Sequence, residues 1–214
     1  MFTNLKLCSK LNYYIGGNML IELTSDKPII LLDMDNSHVD YDGQYEPGIL
    51  ELLPPEALAN QRHGEYYIEN RFEEPYHAMI HDMMRTKGFF FNMRPKEGAV
   101  QALHDMITEG IDVHFCTTPH LKSEHCVPEK AAWVRKYLGD EFEEKIITAH
   151  DKTMCIGHIL IDDKEEITGS IKTPIWKHVV FDAWYNQKKN TPHRLIHWKD
   201  WREVVHPILK SLGF

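Results

Sequence analysis

Apolar residues along this chain fall into short solid runs, separated by longer stretches in which they recur every three or four positions. The runs are Ile29–Leu32 (IILL), Ile111–Cys116 (IDVHFC), Lys145–Thr148 (KIIT), Ile159–Ile161 (ILI) and His178–Phe181 (HVVF). Runs this short and this apolar predict strands buried on both faces, as in a parallel sheet. Between them, PKEGAVQALHDMITEG sets Ala99, Leu103, Met106 and Ile107 on one face of a helix that Gly110 ends. A second helix is predicted from Ser123 and Glu124 to Leu138, closed by Gly139, and the tail HRLIHWKDWREVVHPILKSLGF reads as an amphipathic closing helix. Alternation of this kind predicts a doubly wound α/β fold.

Each of the first four runs ends in polar chemistry. Asp33 and Asp35 follow the first, Thr117 and Thr118 the second, Asp151, Lys152 and Thr153 the third, and Asp162 and Asp163 the fourth. In open parallel sheets ligands bind beyond the carboxyl ends of the strands, so the four clusters are expected to converge on one crevice. After a single strand such residues are ordinary loop; four successive clusters of acids, hydroxyls and a lysine point to a site.

Asp33 and Asp35 repel each other unless a cation or a proton intervenes. Hard oxygen donors from the first and fourth clusters suit Mg2+, and that ion would also admit a phosphate. Without it, a dianion beside Asp33 would meet a penalty of about 4 kcal/mol per charge pair at ~4 Å and an effective dielectric of ~20. Lys152 adds a second cation. Thr117, Thr118 and the backbone N–H groups of the following turn are candidates to hold phosphate oxygens. In such a site Asp33 is placed to attack phosphorus, and Asp35 to protonate the leaving alkoxide and later deprotonate water.

Composition narrows the setting. With 214 residues, 43% of them hydrophobic, the chain can bury a core of one to two domains. A formal charge of −8 argues against a nucleic-acid polymer as partner, and no apolar stretch approaches the roughly 18 residues of a membrane span. Cys8, Cys116, Cys126 and Cys155 form no CxxC pair and read as reduced thiols of a cytoplasmic protein, Cys116 as a packing thiol. The first twenty residues carry Lys6 and Lys10 but no arginine, and no clean apolar leader, so 1–27 reads as an N-terminal extension in which Met19 is an alternative start. His77 and His81 have the i, i+4 spacing of a zinc pair but no evident third ligand, and read as a helix face. Trp176, Trp184, Trp198 and Trp201 are expected to pack the C-terminal part of the core.

The segments DMD, CTT, DKT and LIDDK resemble the four motifs of the haloacid dehalogenase superfamily of phosphatases. The connecting text, GFFFNMRPKEGAVQALHDM, CTTPHLKSEHCVPEKAAWVRKYLG, DKTMCIGHILIDDK and TPIWKHVVFDAWYN with WREVV, resembles the 5'(3')-deoxyribonucleotidases from about Pro28 to the C-terminus. The resemblance implies a three-layer Rossmann-like sandwich, with a core domain over 28–43 and 86–214 and a small helical cap over 44–85. It implies Asp33 as nucleophile, Asp35 as general acid/base whose carbonyl also reaches Mg2+, Asp163 as third protein ligand and Asp162 in support. Thr117 and Lys152 would bind phosphate, and Tyr41 would flank the base of a nucleoside monophosphate; a homodimer is the implied assembly. Tyr66, Tyr67, Phe72 and Tyr76 are further candidates for base contacts.

This chain departs from the family pattern at Asn36, Ser37 and His38, where Gly-Val-Leu is usual, at His158 in place of aspartate, and at Met84 in place of an aromatic. Asparagine tolerates left-handed backbone, so the turn is expected to survive. Two rival readings follow: a phosphatase of the same fold for another small phosphomonoester, or a nucleotide-binding scaffold whose altered turn impairs catalysis.

Overall fold

The computed structural model describes residues 12–15, 18–22 and 25–214, so Cys8 and much of the extension expected over 1–27 lie outside the described residues. Within that extension β1 (Asn12–Ile15) and β2 (Asn18–Glu22) pair antiparallel. The main sheet contains β3 (Ile29–Leu32), β4 (Asp112–Thr117), β5 (Ile146–Thr148), β6 (Ile159–Asp162), β7 (Lys177–Phe181) and β8 (Arg194–Leu195). Its order is β5-β4-β3-β6-β7-β8, and every pairing is parallel. The five apolar runs are therefore the first five strands of this sheet; β8, only two residues long, carries no periodic signal.

Side-chain alternation along β3 divides the core in two. Ile30 and Leu32 join one large cluster with Val113, Phe115, Ile159, Ile161 and Val179, whereas Leu31 packs on the other face with Cys116, Leu160 and Trp176. Helices α4 (Ala99–Thr108), α5 (Cys126–Leu138) and α6 (Trp201–Ser211) bury Leu103, Met106, Trp133, Val134, Trp201 and Val205 in the large cluster. The second face is lined by Trp176, Cys155 and Ile167, none of which belongs to an α-helix.

Local chemistry sets the element ends. Gly139 closes α5 with φ 107°, a conformation that a side chain would resist. That helix begins at Cys126 rather than Ser123, because residues 120–126 form tight turns in which Ser123 N bonds His120 O and Cys126 N bonds Ser123 O. The closing helix is also shorter than the periodicity of the tail suggests. Arg194–Leu195 is drawn into the sheet edge, Trp198–Asp200 is a 3-10 turn, and only Trp201–Ser211 is α-helical. Trp176, Trp198 and Trp201 are buried as expected, but Trp184 is 43% exposed. Its ring instead lies under the Arg71 guanidinium at 4.6 Å, and its Nε1 donates to Asp42 at 3.1 Å.

Between β3 and β4 the chain builds α1 (Tyr41–Leu52), α2 (Pro55–Ala59) and α3 (His77–Arg85), with two 3-10 turns at Ile68–Arg71 and Glu74–Tyr76. The Glu129 carboxylate of α5 receives the backbone N–H groups of Gly88, Phe90 and Phe91 where this insertion rejoins the sheet layer. Because β3 leads to β4 on one side and, later, to β6 on the other, the order in which strands are added to the sheet reverses at β3. Its carboxyl end opens a crevice there.

Close packing behind β3 has a measurable consequence. A Cβ at Gly157 would lie 2.8 Å from Leu31 Cγ, which is buried in the centre of the sheet. Gly157→Ala is expected to lower stability by about 1–3 kcal/mol through overpacking, read as a reduced urea midpoint at unchanged m-value.

Candidate active site

The carboxyl ends of β3, β4 and β6 and the 3-10 turn after β5 bring the expected residues together. Carboxylate oxygens of Asp33, Asp162 and Asp163 lie within 4.8 Å of one another, and all three residues are buried. Lys152, buried in the 3-10 turn Lys152–Met154, spans two of them, with Nζ 2.5 Å from Asp33 Oδ1 and 2.6 Å from Asp162 Oδ2. Asp163 accepts from Ser37 Oγ at 3.4 Å and from the Tyr185 hydroxyl. Asp162 also receives the N–H of Lys164, which turns the chain sharply after β6.

Three carboxylates against one ammonium leave the cluster short of positive charge. Burial pushes Asp33 up to about 7, Lys152 opposes that shift, and Asp162 and Asp35 reinforce it. Asp163 is raised well above the carboxylate range by burial, with Asp162 and Asp33 adding to it. Burial pulls Lys152 down, but Asp162 and Asp33 outweigh it and hold the ammonium charged. Hard anionic oxygens in deficit of charge form a donor set that fits a divalent cation such as Mg2+.

Asp35 stands apart from this triad. Its Oδ2 accepts from Lys130 Nζ at 2.7 Å, while Oδ1 has no partner among the described residues. Lys130 was not expected from the sequence. It is 1% exposed on α5, where its ammonium also donates to Thr117 Oγ1 at 2.8 Å and Thr118 O at 3.4 Å. A buried ammonium needs such partners. The signal was present, since Lys130 falls on the apolar stripe Cys126, Lys130, Trp133, Val134 at helical spacing. Because Thr117 Oγ accepts from Lys130, its own proton is free to be donated elsewhere. Thr118 is exposed, and its hydroxyl donates to Ala149 O at 3.1 Å.

The turn Asn36-Ser37-His38 is resolved by packing. Asn36 takes φ 58°, and its Oδ1 and Nδ2 bond the backbone N–H and carboxylate of Asp42 at the start of α1. Ser37 turns inward to Asp163. His38 points away into the core among Phe115, Trp133 and Trp198, and burial holds it neutral, down to about 3. His158 accepts from Ile29 N–H through Nδ1 at 2.8 Å and packs on Phe214, so it serves the strand rather than the site. Cys116 lies behind Thr117 as an inert thiol, pushed up by burial.

Of the site residues, Asp35, Asn36, Thr118, Lys152, Asp162 and Asp163 line one side of a cavity of about 410 Å³ whose opposite wall comes from the inserted segment. Tyr41, Tyr66, Tyr67, Met84 and Phe90 supply the apolar lining. Tyr41 packs edge-on against Tyr45 and Phe89 and donates to Met84 Sδ at 2.9 Å, which couples the expected base-flanking ring to the methionine that departs from the family. Phe72 is buried and does not line the cavity, nor does Tyr76. His77 and His81 do not form a zinc pair: His77 Nε2 bonds Phe72 O, and His81 lines the cavity.

Two outcomes follow from this geometry. Asn36→Ala is expected to cost about 1–2 kcal/mol, because it combines a left-handed alanine with loss of the bonds to Asp42, while Asn36→Gly costs less; thermal melts of the two variants check the order. Between about pH 4 and 7 the folded, metal-free chain retains a proton on Asp33 that the unfolded chain, at its ordinary value of 3.8, has released. Folding therefore weakens as pH rises through that window. In a chelator, the melting temperature of Asp33→Asn should gain on that of wild type between pH 5 and 8.

Comparison with known proteins agrees with this architecture. The family model for "5' nucleotidase, deoxy (Pyrimidine), cytosolic type C protein" matches residues 27–211. The human cytosolic-type 5'(3')-deoxyribonucleotidase is 35% identical over 190 residues, covering 82% of this chain and 92% of the relative. The human mitochondrial 5'(3')-deoxyribonucleotidase is 35% identical over 185 residues, 82% of this chain and 81% of the relative. Among solved structures, a haloacid dehalogenase-like family hydrolase from Xanthomonas campestris superposes with a TM-score of 0.52 at 12% identity, covering 87% of this chain and 98% of that one. One from Geobacter sulfurreducens, a member of subfamily IA, gives 0.52 at 14% identity, covering 87% and 97%. Parallel sheet, convergent acids and sequence kinship agree: the chain belongs to the 5'(3')-deoxyribonucleotidase family of phosphoric monoester hydrolases, on the haloacid dehalogenase fold.

Proposed function

We propose that the protein hydrolyses nucleoside monophosphates, deoxyribonucleotides among them, to nucleoside and phosphate through an aspartyl-phosphate on Asp33. The observation that carries this reading is the buried Asp33 carboxylate, bonded to Lys152 and adjoining Asp162 and Asp163, three residues that line an aromatic-walled cavity. Its relatives named 5'(3')-deoxyribonucleotidase support the substrate class. Asp33, Asp163 and the carbonyl of Asp35 would hold Mg2+, with Asp162 in support. The ion supplies positive charge that lets a phosphate dianion approach carboxylates.

The rest is done by the chain. The Thr117 hydroxyl and Lys152 bind the phosphate oxygens, with Thr118 at the outer edge. An Asp33 oxygen attacks phosphorus in line, and the ester P–O bond breaks as Asp35 gives its proton to the departing alkoxide. Water then attacks the phosphoryl group, Asp35 takes its proton, and the P–O bond to Asp33 breaks to release phosphate. Lys130, held by Thr117 and Thr118, keeps Asp35 turned toward the leaving group. Residues 44–85 act as the cap, and Tyr41, Tyr66 and Tyr67 offer faces on which a base can stack. On the resemblance alone, the reading also takes the cytoplasm as compartment and a homodimer as assembly. No helix among the described residues is long and apolar enough to cross a membrane.

The altered turn does not favour the impaired-scaffold alternative, since Asn36 keeps the left-handed backbone and sends its side chain to Asp42. The test is phosphate release from dUMP with and without Mg2+. Wild type should turn over only with the metal, Asp35→Asn should be slower by roughly 10²–10⁴-fold, and Asp33→Asn should fall to background. Equal release by wild type and Asp33→Asn would overturn the mechanism. A rate on a sugar phosphate equal to that on dUMP would favour a different phosphomonoester.

A further inference from the structure

Two histidines on the cavity wall have no place in the chemistry above. His81 projects from α3 in the inserted helices, and His120 from the loop after β4, so they face each other across the seam between insertion and sheet. Their ring centroids are 6.1 Å apart with 37° between planes, and the Nδ1 of each is shielded from solvent without a hydrogen-bond partner among the described residues. Both rings have firm mounts. His81 belongs to a helix, and the loop of His120 is pinned by His120 N–H to Cys126 Sγ at 3.2 Å and Ser123 N–H to His120 O at 3.0 Å.

Both rings line the cavity, and neither makes a hydrogen bond to the described residues, so their remaining polar edges there are open to a polar group of a ligand. Position indicates which part of a ligand would supply it. His120 is three residues beyond Thr117, at most about 10 Å along extended chain, which suits the reach from a bound phosphate across a sugar to the far edge of its base. The aromatic side chains between offer faces; the two imidazoles offer hydrogen bonds in the plane of a ring.

We infer that His81 and His120 are a specificity-determining pair that reads the polar edge of the nucleobase, one imidazole donating and the other accepting against an adjacent acceptor and donor on the base. The inference rests on the nucleotidase reading of the same cavity and adds to it the residues that separate a nucleotide from a bare sugar phosphate. A neutral imidazole suits this role because either ring nitrogen can carry the proton, so the pair can match a lactam or an amidine edge. Burial foremost, with His81, Arg85 and Lys122, lowers the basicity of His120, against an opposing pull from Glu69. Leucine at either position would leave the base edge facing hydrocarbon.

The test is the ratio of kcat/KM for dUMP to that for 2-deoxyribose 5-phosphate. His81→Leu and His120→Leu should each lower this ratio about tenfold, and His120→Gln, which keeps a donor and an acceptor, should restore most of it. An unchanged ratio in both leucine variants, in an enzyme whose wild type prefers dUMP, would overturn the role of the pair and leave the nucleotidase reading standing. A wild type with no preference for dUMP would overturn both. Should the leucine variants not fold, imidazole ¹⁵N spectra of the wild type decide: dUMP should shift two histidine signals that inorganic phosphate leaves in place, and no dUMP-specific shift would overturn the assignment.

Discussion

Three carboxylates forced together under burial, with a single ammonium between them, constrain the whole centre of this protein. Asp33, Asp162 and Asp163 could not be gathered within 4.8 Å by any local preference of the chain, since their mutual repulsion opposes it. They are held there because β3 and β6 are adjacent parallel strands packed on both faces, and each delivers its acid at its carboxyl end. Core packing thus works against electrostatics to create an anionic pocket, and Lys152 offsets only part of the charge. What remains is a set of hard oxygen donors short of positive charge, which fits a divalent cation.

Around that cluster the structure separates two acids of the same short motif. Asp33 and Asp35 are two residues apart, yet one shares Lys152 with the triad and the other is bonded by Lys130 from a helix on a different part of the chain. Two carboxylates with different partners can take different roles in one reaction. The same separation recurs in the turn that follows: Asn36 goes to Asp42, Ser37 to Asp163 and His38 into the aromatic core. Three substitutions that look alike as departures from a motif thus have three physical consequences, none of which removes a group from the site.

The inserted helices are tied to the sheet through polar as well as apolar contacts. Arg71, 4% exposed, pairs with Asp42 at 3.1 Å and lies over Trp184, so the segment that carries Tyr66 and Tyr67 is anchored to the first turn of α1 and to the loop after β7. A buried guanidinium with a bonded carboxylate and stacked rings fixes orientation more than it adds stability. That anchorage gives the cavity a defined far wall, on which His81 stands opposite His120.

Much of this was legible in the sequence because it depends on local pattern. Solid apolar runs marked β3 to β7, and the polar residues closing four of them marked Asp33, Asp35, Thr117, Lys152, Asp162 and Asp163, since a parallel sheet must present those ends on one side. Periodicity misled where tertiary packing overrode it, as in the tail, where Arg194 and Leu195 extend the sheet edge before a helix can begin. Arg71, Tyr185 and the facing of His81 and His120 were decided by the tertiary structure alone. Each acquires its role from a partner many residues away, and a contact of that kind leaves no period or spacing in the chain to be read.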